Sequence, residues 1–194
     1  MSRCEKQARV VACDTQSGES NVLFEEAAAT FIDLNFMSEE SCTLLPLPDS
    51  EELIWFSERS GWAHLYLYDL KTGELKYPIT EGQWLVREIV GLDLERRDVY
   101  FQAAGRVADR DPYYREICRV NIDSREMIAL ASSDHEYVMH KPGSQNTLFA
   151  GIFGRDVSGV SGLSPTGNYF VTTRTRVNQR SVSELRNREG DMLM

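Results

Sequence analysis

The 194 residues carry a formal net charge of −9, with 42% hydrophobic and 10% aromatic side chains. That balance belongs to a globular chain rather than a disordered one, and its sign excludes the basic surface that nucleic acid or an anionic membrane requires. No apolar run approaches the roughly 20 residues of a membrane helix, and Met1 to Gln7 lack the apolar core of a leader peptide.

Taken in order, the chain reads as short strands broken by polar turns. Val10 to Cys13 leads into the turn Asp14 to Glu19, whose Gly18 suits a positive φ, and Val22 to Phe24 follows as the next strand. Glu25 to Phe31 has helix-friendly alanines but is too short to stand alone, so it reads as a strand end or a single turn. Leu53 to Phe56 is a continuous apolar run, suited to a strand covered on both faces. His64 to Tyr68 alternates, with Leu65 and Leu67 on one face and Tyr66 and Tyr68 on the other. Trp62 and the Leu65/Leu67 face are expected to be packing. Further strands are expected at Leu75 to Ile79, Trp84 to Val90, Val99 to Phe101, Ile117 to Ile122, Met127 to Leu130, Leu148 to Phe153 and Tyr169 to Thr173. The fold class is therefore all-β.

Three stretches share one plan of strand, acidic or amide turn, strand and polar stop: VVACDTQSGESNVLFEE, HLYLYDLKTGELKYPITEG and REICRVNIDSREMIALASS. Their turn residues Asp14, Asp69 and Asn121 recur 55 and 52 residues apart (14 to 69, 69 to 121). A weaker fourth copy begins near Ser183, and ELIWFSE, DVYFQAA and NYFVTTR supply an extra strand upstream of the last three. Repetition near 50 residues with several strands per repeat is the mark of β-propeller blades, each of which needs a neighbour to cover its faces. A sandwich does not repeat its turn chemistry at such an interval.

The stretch SERSGWAHLYLYDLKTGELKYPITEGQW, residues 57 to 84, resembles the N-terminal propeller of the dipeptidyl peptidase IV family. TFIDLNF (30 to 36) resembles the segment upstream of it, and LSPTGNYFVTTRTRVNQRSVSELRN (163 to 187) is similar to the family's Ser-Pro-Asp-Gly-x-Tyr-Phe element near the propeller's end. The resemblance implies an eight-bladed propeller capping an α/β-hydrolase domain that carries a serine–aspartate–histidine triad. The match falls on the later blades, so residues 1–194 are expected to be a propeller fragment of about three to four blades, without the catalytic domain. The implied role is to gate access and position substrate, with no catalysis by the fragment itself. The implied partner is peptide substrate, reached through the hydrolase domain of a periplasmic or cytoplasmic bacterial parent. The competing reading is a stand-alone propeller that binds a peptide or protein without catalysis. A propeller from an acylaminoacyl peptidase is a third, disfavoured by the GWAHLYLYDLKTGEL hairpin.

Candidate chemistry is sparse. Gly159-Val160-Ser161-Gly162-Leu163 departs from Gly-x-Ser-x-Gly at its last position, where the strained elbow needs glycine, so Ser161 reads as a loop serine. Glu25-Glu26 matches the two adjacent glutamates with which the family grips a substrate ammonium, yet it lies at an outer-strand position and lacks the surroundings of that clamp. The histidines are His64, His135 and His140. Asp134 and Glu136 flank His135, but neighbours on a strand point to opposite faces and cannot orient its ring. His64 reads as a structural histidine. Arg174 and Arg176, at period two, are expected on one strand face, where they could approach a substrate carboxylate or carbonyl or simply protect an edge. Arg106, Arg110 and Arg180 sit in inter-strand stretches. Cys4, Cys13, Cys42 and Cys118 form no Cys-x-x-Cys pair, which leaves free thiols or an undetermined disulfide rather than zinc. No catalytic, metal or cofactor residues are assigned, and Glu25, Glu26, Arg174 and Arg176 are the substrate-binding candidates. Because three to four blades cannot close a ring, the fragment is expected to self-associate through open blade faces and edges.

Overall fold

The computed structural model describes residues 6–32, 44–139 and 162–194. The expected strand at Leu148 to Phe153, together with Ser161, His140, Cys4 and Cys42, lies outside the described residues. The chain forms two compact units. The first holds β1 (Gln7–Cys13) and β2 (Ser20–Ala27), paired antiparallel, and a four-stranded antiparallel sheet of β3 (Leu44–Leu47), β4 (Glu52–Ser57), β5 (His64–Asp69) and β6 (Leu75–Pro78). The second holds β7 (Leu85–Asp93), β8 (Asp98–Ala104), β9 (Arg115–Asn121) and β10 (Met127–Ala131) as another four-stranded sheet. It also holds β11 (Glu136–Val138), β12 (Tyr169–Arg176) and β13 (Gln179–Asn187) in a sheet of three. The only helix among the described residues is one 3-10 turn, Pro48–Ser50.

The turn chemistry explains why the strands fall where they do. In all three copies a side-chain oxygen of the first turn residue accepts from two backbone N–H groups ahead of it. Asp14 accepts from Gln16 and Ser17, Asp69 from Lys71 and Thr72, and Asn121 from Asp123 and Ser124. The backbone repeats as well: Gly18 donates to Asp14, Gly73 to Asp69 and Arg125 to Asn121, each at 2.9 Å. Ser17, Thr72 and Ser124 then accept from the N–H of Glu19, Glu74 and Glu126, each at 3.2 Å. These side-chain caps replace ladder bonds and reverse the chain at a fixed register. The backbone N–H bonds hold the Asp14 and Asp69 carboxyls below the usual carboxylate range. The fourth copy is also present. Asn187 accepts from the Glu189 and Asp191 N–H groups, and the returning chain bridges β13 at Arg186 and Met192.

Each unit has its own core. In the first, Leu65 and Leu67 have no solvent exposure and the opposite face of β5, Tyr66 and Tyr68, is also buried. Burial of each such side chain contributes about 1.5–3 kcal/mol. Phe24 of β2 stacks on Tyr68, with ring centroids 3.9 Å apart, and meets the Trp55 ring edge-on. In the second unit Val90, Tyr100, Ile117, Tyr137 and Phe170 form the core, and the buried Tyr100 hydroxyl donates to Gly167 O at 3.2 Å. Trp62 departs from expectation. It is 39% exposed, on the loop between β4 and β5 rather than in the core. The loop 58–63 lifts the indole out of the alternating pattern that begins only at His64.

Candidate functional site

Glu25 and Glu26 are consecutive on β2, so their side chains leave opposite faces of the strand. Glu25 is exposed and pairs with Arg9 at 2.6 Å, its register partner on β1. Glu26 is buried against β4. Its Oε2 accepts from Trp55 Nε1–H at 2.6 Å and from Arg59 Nη2 at 2.6 Å, and its Oε1 accepts from the Ser57 hydroxyl at 2.5 Å. Arg59 is gripped from all sides. Its Nε donates to Ser57 Oγ, its Nη1 to the Tyr68 hydroxyl, and its guanidinium lies 4.5 Å from the centre of the Tyr66 ring. Burial opposes the Arg59 charge, but the Tyr68 hydroxyl and the Glu26 carboxylate outweigh it and raise its pKa. This cluster floors a cleft of about 460 Å³, walled by Ala27 to Ile32 and by Phe56 to Arg59. The two glutamates thus serve different neighbours and do not face one cavity together.

Arg174 and Arg176 share a face of β12 but serve different partners. The register shift beside them places the extra residue on β13, three steps there (Gln179 to Val182) against two on β12, so β12 keeps its alternation. Arg174 pairs with Glu184, a buried carboxylate that Arg186 also holds, each at 2.7 Å. Arg176 pairs instead with Asp134 at 2.7 Å and borders a shallow groove with Tyr113, Tyr114, Glu136, Val177 and Gln179. Arg106 and Arg110 both reach Glu116, which has no solvent exposure. Arg180 is exposed on β13. The pattern is a buried carboxylate neutralised by two arginines, with Asp98 between Arg119 and Arg188 a further instance. Sequence reading missed these partners because they are joined by sheet register, not by spacing.

The histidines have neighbours of a structural kind. His64 is buried, with its Nδ1 3.0 Å from the Thr80 hydroxyl. His135 lies 3.0 Å from Ser133 Oγ through Nδ1 and 2.9 Å from Gln179 Oε1 through Nε2. A serine is thus in reach, but the group behind the imidazole is an amide, which cannot stabilise an imidazolium as a carboxylate does. The flanking acids serve Arg176 and Arg115 instead. Cys13 and Cys118 are free; burial and the Glu116 charge push the Cys118 thiol up to about 12, which makes it inert at neutral pH. Among the described residues no cluster of histidine, cysteine and acidic side chains could hold a metal ion.

Among the described residues, two four-stranded sheets, one of three strands and one of two, each with the same repeated turn, form the blade pattern of a β-propeller. The chain belongs to the family described as the dipeptidyl peptidase IV (DPP IV) N-terminal region, which it matches over residues 1–151. It is 34% identical over 101 residues to a probable dipeptidyl peptidase 4 of Aspergillus flavus, a match covering 52% of this chain and 13% of that protein. A dipeptidyl peptidase 4 of Trichophyton rubrum is 26% identical over 132 residues, covering 68% of this chain and 16% of its own length. The crystal structure of Porphyromonas gingivalis dipeptidyl peptidase 4 superposes with a TM-score of 0.71 at 17% identity, over 99% of this chain and 23% of that one. A putative dipeptidyl aminopeptidase IV from Bacteroides ovatus gives 0.71 at 19% identity, over 99% and 26%. The chain therefore spans only about an eighth to a quarter of the proteins it matches.

Proposed function

We propose that the chain is a non-catalytic propeller region of a serine-type dipeptidyl or prolyl peptidase, gating access and positioning peptide substrate for the hydrolase domain of the whole peptidase. The observation that carries this reading is membership of the dipeptidyl peptidase IV N-terminal family on an all-β frame. The His135 environment supports it, since the serine–imidazole contact found there among the described residues is backed by an amide. A stand-alone peptide-binding propeller is the alternative, and it shares the absence of catalysis. The purified 194-residue chain is expected to release no chromophore from an Xaa-Pro amide. Release that Ser161→Ala abolishes would overturn both readings; release that survives the substitution identifies a contaminating enzyme. Joining the chain to a hydrolase domain separates the two: altered selectivity for long over short substrates supports gating, and unchanged selectivity supports the binding module.

Self-association is proposed for the isolated chain on the same grounds. β1 is an edge strand of a two-stranded sheet, and the register partners Val11 and Val22 are 45% and 51% exposed. Such edges pair between chains, and salt screens the net charge while leaving apolar burial intact. Light scattering should show dimers or larger species that grow with concentration and persist in salt; a monomer throughout would refute this.

A further inference from the structure

Within each unit, neighbouring sheets meet in one register. Counting back from the turn residue, the side chains one and three positions earlier face the preceding sheet. Tyr68 and Tyr66, before Asp69, pack with Phe24, Ala8 and Val10 of the first sheet. Arg186 and Glu184, before Asn187, turn the same way: Arg186 donates to Leu130 O of β10 at 3.0 Å and holds the buried Glu184 carboxylate. The glycine of each turn sets the spacing. A Cβ on Gly73 would fall against the Leu23 backbone of β2, and one on Gly190 would lie 2.6 Å from Leu130 O. Leu23 and Leu130 are both the bulged residue on an edge strand of the sheet before, where the pairing register shifts.

The first and last sheets each leave one half of this contact open. Before Asp14 the same two positions are Cys13 and Val11, both exposed, with Val22 opposite Val11 across the β1–β2 pair. Gly18 shares the positive φ of Gly73, yet a Cβ there would meet nothing within 4 Å. On the last sheet, Phe170 and Thr172 are buried toward the core, and alternation turns Tyr169 and Val171 to the other face, 49% and 46% exposed. Both open faces are electrically neutral: Arg9 and Glu25 pair on the first, and Tyr169, Val171 and Thr173 line the second. Among the described residues the chain thus carries a turn with no sheet before it and a sheet with no turn after it. We infer that a second copy of the chain supplies each: the last sheet of one copy packs on the first sheet of the next, Tyr169 and Val171 covering Val11 and Val22. This contact deepens the self-association proposed above and rests on it, but it joins faces rather than strand edges. Two different faces meet, so the association is head-to-tail.

The test uses the 194-residue chain with Val11→Glu or Val171→Glu, each placing a charge in one of the two faces. Both positions are exposed, so the melting temperature should hold. Each variant alone should associate at least about tenfold more weakly, because the contact would bury an unpaired charge. Each nevertheless keeps one good face, and the two are complementary. Their equimolar mixture should therefore recover a one-to-one complex that grows no further, read by light scattering. Val11→Lys and Val171→Lys repeat the experiment with the opposite sign, so a folding defect in one variant does not decide it. Association that survives both Val171 substitutions, or a mixture no better than its separate components, would overturn the face contact and leave edge pairing in place. An unaltered chain that stays monomeric at every concentration would overturn the contact and the self-association together.

Discussion

Replacing Glu26 with alanine should unfold the first unit far more readily than replacing Glu25, its immediate neighbour. The Glu26 carboxylate is the shared acceptor for an indole N–H, a hydroxyl and a guanidinium, all at 2.5–2.6 Å. Without it, Trp55 and Ser57 lose a buried acceptor and Arg59 keeps a charge that burial opposes. Breaking a buried pair from one side costs about 3–5 kcal/mol, because the surviving charge is left uncompensated. Glu26→Gln keeps an acceptor and should cost less, about 1–3 kcal/mol. Glu25 contributes an exposed ion pair with Arg9, for which about 0–1 kcal/mol is the ordinary range. Urea unfolding followed by Trp55 fluorescence measures the difference. Equal losses for the two alanine variants would show that Glu26 does not organise the cluster.

The contrast between these two glutamates shows what the sequence could and could not convey. The blade plan was legible because local chemistry sets it: an Asp or Asn followed by Ser or Thr three residues later caps its own turn, whatever the rest of the chain does. Alternation at His64 to Tyr68 and the apolar run at Leu53 to Phe56 were legible for the same reason, and both strands are buried as expected. β3 escaped notice because Leu44 to Leu47 contains Pro46 and is too short to show a period. β11, with three residues, gave no signal either. The electrostatic clusters were illegible in principle. Arg59 is 33 residues from Glu26, and Arg188 is 90 from Asp98. Trp62 misled for the opposite reason: an aromatic residue inside a strongly β-forming stretch looks like core, but only its place in the loop 58–63 decides its exposure.

Gly73→Ala should be among the most damaging single-methyl additions in the chain, and Gly18→Ala, at the same place in the neighbouring repeat, should be mild. Both glycines close the capped turn with positive φ, 73° at Gly73 and 75° at Gly18. Any residue with a Cβ meets a left-handed penalty there of about 1–2 kcal/mol, partly offset because alanine loses less entropy on folding. Arg125 accepts that penalty at the equivalent position of the third repeat, with φ 59°, so the conformation alone is tolerable. The surroundings separate the two glycines. A Cβ on Gly18 would meet nothing within 4 Å. A Cβ on Gly73 would fall 2.6 Å from the Leu23 carbonyl carbon and nearer still to its oxygen. That obstacle is backbone of β2, where Leu23 is the bulged residue between Val22 and Phe24, both paired with β1, so it cannot swing aside as a side chain would. The hairpin β5–β6 must then back away from β2, loosening the Phe24–Tyr68 stack on which the first core depends. Roughly 3–5 kcal/mol is expected for Gly73→Ala, in the range that marks backbone strain or lost packing, against about 1 kcal/mol for Gly18→Ala. Thermal unfolding of the two variants, with Arg125→Gly as a third that should be neutral or slightly stabilising, separates the contributions. If Gly73→Ala and Gly18→Ala lowered the melting temperature alike, the close approach of the β5–β6 turn to β2 would be refuted.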